Sequence, residues 1–470
     1  MIEKPFIHLF KTTKGRYCYD VNKDEIIQLP DIVYAYLAGE AEKTDYVKTY
    51  MERLYERGYL KSKRVMTTKH PATDYLPYYY NTKLNFLILQ VTQNCNLRCE
   101  YCVYSGNYRT RSHDNKRMSF DLAQKGIDFL YQHSRDSTRI IIGFYGGEPL
   151  LEFDLIKKCV FYIEKLFYGK KVIFTITTNA TLLKESVVEF LVEKNFNLII
   201  SLDGPKEIHD KSRRFSNSKK SSYEALIENL KYIRKHHCQF YKNNISFNTV
   251  FTMLDGFDCV NNFFSTDELF SESEISSGVV SDCFLKEERK IGVNELKYIE
   301  QVRYEEFKIM LNQIGELNDV YISKILSKEF DNIIKDRFNK KGFYREELPD
   351  KWHHGGPCVV GVNRLFMNAY GEFYPCEKVC EGMKEVEIGN VYDGLNIEKA
   401  KTVLNIEKLN ENECHNCWAY QYCNTCATRF GDTPEVHQVQ CQRIKRFVDS
   451  KLKDYCVLKE LGIKDPRFSW

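Results

Sequence analysis

Hydrophobic and polar positions change their period several times along this chain. Alternation over residues 6–10 and 16–20, with Gly15 turning the chain between them, predicts two short strands, and 26–29 predicts a third. Helical spacing follows over 30–38 and again over 44–59, where Tyr50, Leu54 and Tyr55 recur on helical spacing. Strands followed by helices predict a small winged-helix-like module at 1–65. Residues 66–83 carry Pro71 and Pro77, have no clear period and predict a linker. From residue 84 the element type itself alternates. Runs rich in Ile, Phe and Val at 84–91, 139–145, 171–177, 197–202 and 245–252 predict buried strands. Helical patterns near 119–134, 152–168, 182–195 and 221–238 lie between them. That order predicts an α/β core at 84–310, with parallel strands and crossover helices in a barrel or an open sheet. A charged helical bridge is expected at 311–349, and residues 350–470 are short on periodicity.

Composition narrows the class. At 470 residues the chain is long enough for two or three cores, and 43% hydrophobic with 28% charged residues is ordinary for a globular protein. A net charge of +3 gives no case for nucleic acid or an acidic membrane surface. No apolar run reaches the roughly 20 residues of a membrane helix, and residues 1–11 lack a signal-peptide pattern. A cytoplasmic location is therefore expected, where disulfides are disfavoured. Seventeen cysteines then need another explanation, and they cluster at metal-ligand spacing.

The polar clusters follow strand ends. After the first core strand comes Cys95-Asn-Leu-Arg-Cys99-Glu-Tyr101-Cys102; after the second, Gly146-Gly147-Glu148-Pro149; after the third, Thr178-Asn179; at the fourth, Ser201-Leu-Asp203-Gly204. Strand ends of a parallel sheet share one face, so the four clusters are expected at one mouth. Three thiolates on a tight loop can ligate three irons of a four-iron cluster and leave the fourth iron open. A zinc site or buried thiols is the alternative, and zinc wants a fourth ligand, for which His113 is the nearby candidate. Gly146 and Gly147 allow a close backbone approach, Pro149 suits a helix start, and Glu148 can accept hydrogen bonds from a ligand ammonium. Ser201 and Asp203 can bond a ribose or amino-acid group, and Tyr101 can cover an adenine face.

Together these motifs resemble the radical S-adenosylmethionine superfamily, over about residues 84–290. The resemblance implies a partial (β/α)6 barrel that splits S-adenosylmethionine into methionine and a 5′-deoxyadenosyl radical, with Cys95, Cys99 and Cys102 catalytic and Gly146, Gly147, Glu148, Pro149 and Asn179 among the cofactor contacts. The stretch Ser201 to Arg213, with His209 and Asp210 inside it, is similar to the peptide- and protein-maturing subgroup; there the serine and the arginine contact the methionyl carboxylate.

Seven cysteines of the last block, Cys358, Cys376, Cys414, Cys417, Cys423, Cys426 and Cys441, can hold two metal centres, either iron–sulfur clusters or zinc ribbons. Their pattern resembles the SPASM domain, with one departure: two residues rather than three separate Cys423 and Cys426. By that resemblance Cys414, Cys417, Cys423 and Cys441 close one auxiliary cluster, and Cys358, Cys376 and Cys426 hold another. Its fourth ligand is Cys380, a histidine near Trp352-His353-His354, or an iron left open for a substrate thiol. Three [4Fe-4S] clusters in all are thus expected. Cys18, Cys159, Cys238, Cys259, Cys283 and Cys456 are expected to pack as small hydrophobes.

The helix at 44–59 mixes Glu52 and Glu56 with Lys48 and Arg53, against a DNA-binding face. The module resembles instead the leader-recognition element of peptide-maturing radical enzymes. The expected function is thioether formation in a ribosomally made, cysteine-rich precursor peptide with a leader, served by an electron donor such as flavodoxin or ferredoxin. Carbon–carbon crosslinking or formylglycine formation on the same core is the second class, and a zinc-ribbon binding protein the third.

Overall fold

Short alternating segments at the start of the chain have two faces to bury, and both are used. The computed structural model describes residues 4–108, 112–280, 284–287, 293–328, 330, 346–356, 358–429 and 434–462. β1 (Ile7–Lys11), β2 (Arg16–Asp20) and β3 (Glu25–Leu29) form an antiparallel sheet with β2 in the middle. Helices Asp31–Ala38 and Asp45–Glu56 cover one face, where Val33, Val47, Met51 and Leu54 pack on Cys18 and Leu29. The Thr44 hydroxyl accepts the Val47 N–H at 3.3 Å and so caps the second helix. On the other face Phe6, Phe10, Tyr17 and Tyr19 share a core with Tyr420, Ile444, Val448 and Leu452, about 400 residues further on. There His8 lies flat on Trp418, ring centres 3.5 Å apart, and its Nε2 bonds Asp449 at 2.8 Å.

The segment expected as a linker is a packed joint. β4 (Thr67–Thr68) is followed by a helix at Leu76–Thr82, whose Leu76 and Tyr80, four residues apart, are buried in the main core. β5 (Phe86–Thr92) then leads into the cysteine loop and β6 (Leu97–Cys99). β7 (Arg139–Gly146), β8 (Lys171–Thr178), β9 (Asn197–Ser201), β10 (Arg213–Phe215), β11 (Ile245–Phe251) and β12 (Glu274–Val279) complete this half. Six of these strands, in the order β5, β7, β8, β9, β11, β12, lie side by side and parallel. Both faces of β5 are covered, which explains the unbroken apolar run at Leu87, Ile88 and Leu89. Helices Phe120–Gln132, Phe153–Leu166, Glu185–Glu193 and Ser222–His236 fall on the four helical patterns. β12 carries no predicted run: Glu-Ile-Ser-Ser-Gly-Val buries only Ile275 at the sheet's edge.

The last block contributes to the same sheet. β13 (Lys351–Trp352) pairs with β4, while β14 (Leu365–Met367) joins β5 in parallel, Phe366 opposite Ile88. β15 (Glu372–Tyr374), β16 (Gly389–Asn390) and β17 (Gly394–Leu395) continue it antiparallel, making a ten-stranded mixed sheet. Of the expected bridge, 331–345 lie outside the described residues; before it runs the helix Val293–Gln313. Arg303 on that helix donates to both oxygens of Asp454, at 2.9 and 3.2 Å, on the long final helix Pro434–Glu460. Cys18, Cys159 and Cys456 are buried, but Cys238 and Cys259 are exposed, which corrects the packing expectation; Cys283 lies outside the described residues. Among the described residues no helix is long and apolar enough to cross a membrane.

Candidate functional site

Hydrogen bonds tie the cysteine loop to the Gly-Gly-Glu-Pro turn, that turn to Thr178-Asn179, and Asp203 of the fourth cluster back to the loop through Tyr101. The cysteine loop leaves β5 and returns as β6, which pairs with β10 in an antiparallel ribbon, Cys99 opposite Arg213. Cys95, Cys99 and Cys102 are all half-buried. Burial, then the nearby Glu148 charge, pushes the Cys95 thiol up to about 12. Burial raises Cys99 to about 11, although the Arg213 guanidinium works against it. Metal-free, such thiols keep their protons; a bound cation favours the thiolates instead. Donors already point at one sulfur: the Leu97 N–H reaches Cys95 Sγ at 3.3 Å and the Asn179 amide at 3.9 Å. Among the described residues no three His, Cys, Asp or Glu side chains converge on a single-ion site. A four-iron cluster takes its thiolates from separate irons and asks for no such convergence.

The Gly-Gly-Glu-Pro turn closes on the start of this loop. A Cβ on Gly146 (φ +144) would stand 2.0 Å from the Thr92 carbonyl oxygen, and one on Gly147 2.2 Å from that of Asn94. The close approach is thus chain to chain, sealed by Gly147 N–H to Thr92 O and Glu148 N–H to Asn94 O, both 2.9 Å. Glu148 is fully buried and accepts from Leu150 N–H (3.1 Å), Thr178 Oγ1 (2.7 Å) and Asn179 N–H (2.8 Å). Burial lifts its carboxyl to about 7 against the pull of those donors. Pro149 opens the short helical turn that follows. Asn179 donates to Asn96 Oδ1 at 2.8 Å, and Asn96 to Thr181 at 2.8 Å, so Asn96 and Thr181 join the site with no role assigned to them from the sequence.

The fourth cluster centres on a buried ion pair. Arg213 donates to Asp203 through Nε (2.8 Å) and Nη2 (3.1 Å), while the Tyr101 hydroxyl and the Val250 N–H (3.2 Å) donate to the same carboxylate. Arg213 lies over the Tyr101 ring at 5.5 Å. Tyr101 therefore links the cysteine loop to Asp203, and Ser201, half-buried, sits at the end of β9 beside them. A cleft of about 510 Å³, lined by Glu100, Tyr101, Lys211, Thr252 and Asp255, opens next to this group.

His209 supports it from behind. Its Nδ1 accepts the Asp203 N–H at 3.4 Å, its ring is 1% exposed, and burial holds its pKa down at about 4. A depressed histidine stabilises the fold above its unfolded pKa of about 6.5 and loses that contribution as pH falls towards 4. The loss is about 3 kcal/mol for a shift of that size. In acid titrations of unfolding, His209→Gln is expected to flatten stability between pH 6.5 and 4; an unchanged slope would show that His209 does not supply it.

Beyond the four clusters lies a network that no spacing announced. Glu381, 6% exposed and next to Cys380, accepts from Gln90 Nε2 at 3.0 and 2.9 Å and from the Tyr104 hydroxyl. Tyr104 follows Cys102 by two residues, and Gln90, two residues before the end of β5, accepts the Ala369 N–H at 3.0 Å. In the last block Cys414 has Cys423, Cys417 and Cys441 within electrostatic range, and Cys376 has Cys426; Cys358 is exposed.

A family model described as the Radical SAM superfamily matches residues 89–253. An uncharacterised protein of Methanocaldococcus jannaschii is 30% identical over 321 residues, 68% of this chain and 92% of its own length. A cysteine-type anaerobic sulfatase-maturating enzyme of Clostridium novyi is 32% identical over 162 residues, 33% of this chain and 42% of that enzyme. Among solved structures, native anSMEcpe with bound AdoMet shares the fold at TM-score 0.59 and 21% identity, with 80% of this chain and 99% of that one covered.

Proposed function

Because the chain belongs to the radical SAM superfamily, we propose that it is a peptide maturase forming thioethers, from a cysteine sulfur to an unactivated carbon, in a ribosomally made, cysteine-rich precursor. Cys95, Cys99 and Cys102 would hold a four-iron cluster, which with bound S-adenosylmethionine would supply reductive cleavage of the sulfonium to a 5′-deoxyadenosyl radical. The chain's own residues do the rest. Glu148 and Asn179 hold the strand ends against the cysteine loop, and Ser201 and Arg213 offer polar groups to the methionyl carboxylate, with Asp203 keeping Arg213 in place. Cys414, Cys417, Cys423 and Cys441 would hold one auxiliary cluster; Cys358, Cys376 and Cys426 would hold the other, completed by Cys380, a histidine or the substrate thiol.

The observation that carries this reading is the buried Glu381. Its carboxylate accepts from Gln90 and from Tyr104, two residues past Cys102, and it directly follows Cys380 in the chain, which supports a cysteine-rich block packed against the end of the cysteine loop. The open edge of β3, which pairs only with β2 among the described residues, suits a leader peptide added as a further strand. Formylglycine formation is the second reading, favoured by what the Clostridium novyi relative is named for.

Mass spectrometry decides between them. The reconstituted protein, incubated without air with S-adenosylmethionine, dithionite and the cysteine-rich peptide encoded nearest its gene, is expected to remove two hydrogens per link and leave the cysteine unable to be alkylated. The same peptide without its leader is expected to react far more slowly. Exchange of sulfur for a carbonyl oxygen would select the second reading, and an unmodified peptide with reactive thiols would sink both.

A further inference from the structure

Strand alternation gives the first sheet two unlike faces. Cys18 packs under the module's own helices, while Phe10, Tyr17 and Tyr19 face the other way, into the core shared with the final helix. Cys414, Cys417 and Cys423 pack against that same core. The polar contacts of the sheet fall beside these cysteines. Trp418 directly follows Cys417, and the His8 ring lies on it, 3° from parallel. Tyr422 directly precedes Cys423, and its hydroxyl donates to Asp24 Oδ1 at 2.8 Å, in the turn between β2 and β3. The Tyr19 hydroxyl donates to the same oxygen at 2.9 Å. Cys441 lies on the final helix, which the first module reaches through His8 to Asp449 (2.8 Å) and the Tyr17 hydroxyl to Glu460 (2.6 Å). The donor set suits an iron–sulfur cluster: burial, and then the thiols of Cys423, Cys417 and Cys441, push the Cys414 thiol up.

We propose that the first module is one wall of the auxiliary site formed by Cys414, Cys417, Cys423 and Cys441, with His8 and Asp24 as positioning residues that fix Trp418 and Tyr422 beside its ligands. This role is separate from the leader recognition expected of the same module, and it rests on the iron–sulfur reading of those four cysteines. The module supplies no ligand itself. It acts through the residues next to two of them, and through the helix that carries a third. Hydrogen bonding and solvent exposure around a cluster set its potential, and the groups behind the ligands set how firmly it is held. Two aromatic side chains clamped by a second module keep water from the sulfurs on that side.

The test uses the full chain with Cys95, Cys99 and Cys102 replaced by alanine, so that reconstitution loads the last block alone. In that background His8→Ala and His8→Phe are compared with the parent. Iron release to a chelator is followed by absorbance without air, and each cluster is titrated by electron paramagnetic resonance against redox mediators. His8→Ala is expected to release one cluster's share of the iron about tenfold faster, while the other share keeps the parent's rate. The potential of the affected cluster should rise, because water favours its more negative, reduced state. His8→Phe, which keeps a ring on Trp418 but not the Asp449 bond, should recover most of the protection. Rates and potentials equal to the parent's would overturn the wall, and so would an equal acceleration of both shares, which reports general loosening. A Cys414→Ala/Cys417→Ala chain that binds as much iron as the parent would instead overturn the iron–sulfur reading of these cysteines.

Discussion

Cys99→Ala is expected to release no 5′-deoxyadenosine above background when supplied with dithionite and S-adenosylmethionine. The residue sits on β6, its thiol half-buried and facing the Arg213 charge, so the variant leaves Cys95 and Cys102 without the third corner of the site. Two thiolates cannot hold three irons. Iron bound per chain should drop accordingly, while the β6–β10 pairing, made by backbone groups, persists. Stability of the metal-free protein should change by less than about 1 kcal/mol. Chromatographic assay of 5′-deoxyadenosine reads the first effect and chemical denaturation the second. Undiminished cleavage would mean that the loop is not the radical site.

Asp203→Asn is expected to be the most damaging single change to the fold. Its carboxylate carries Arg213, Tyr101 and the Val250 N–H together, and it is 3% exposed. An asparagine keeps the shape but removes the charge and turns an NH₂ donor towards groups that are themselves donors. Arg213, held firmly cationic by Asp203, would be left buried without its counter-charge. Breaking a buried pair from one side costs about 3–5 kcal/mol. Urea denaturation measures that cost, and Asp203→Glu, which restores charge but not geometry, should recover part of it. A loss below about 1 kcal/mol would show that the pair is solvated in solution.

What could be read in advance follows a physical line. Core strands and crossover helices were legible because each buries a long periodic stretch: the runs at 139–145 and 171–177 became β7 and β8 nearly residue for residue. The cysteine loop was legible because its ligand spacing is local. Contacts made by pieces too short to have a period were not. β14 has three residues and joins β5 from more than 270 positions away, and β12 is an edge strand with one buried side chain. Arg213 could be named from its motif, but its place opposite Cys99 depends on a three-residue ribbon. Glu381 was invisible for the same reason: Gln90, Tyr104 and Glu381 come from three segments and form a network only once the last block enters the sheet. Cys238 and Cys259 misled because a cysteine within a helical pattern can fall on either face, and both fall on the solvent side.

The far face of the first sheet has a consequence for how the protein is made. Phe6, Phe10, Tyr17 and Tyr19 meet Ile444, Val448 and Leu452, and the His8–Asp449 bond spans 441 positions. Ribosomes add roughly 5–20 residues per second. The first segment to emerge therefore waits roughly 20–90 seconds for the helix that covers it, with its aromatic side chains in water throughout. Such a nascent chain invites chaperones, and a message truncated just before residue 434 would leave that aromatic face without Ile444, Val448 and Leu452.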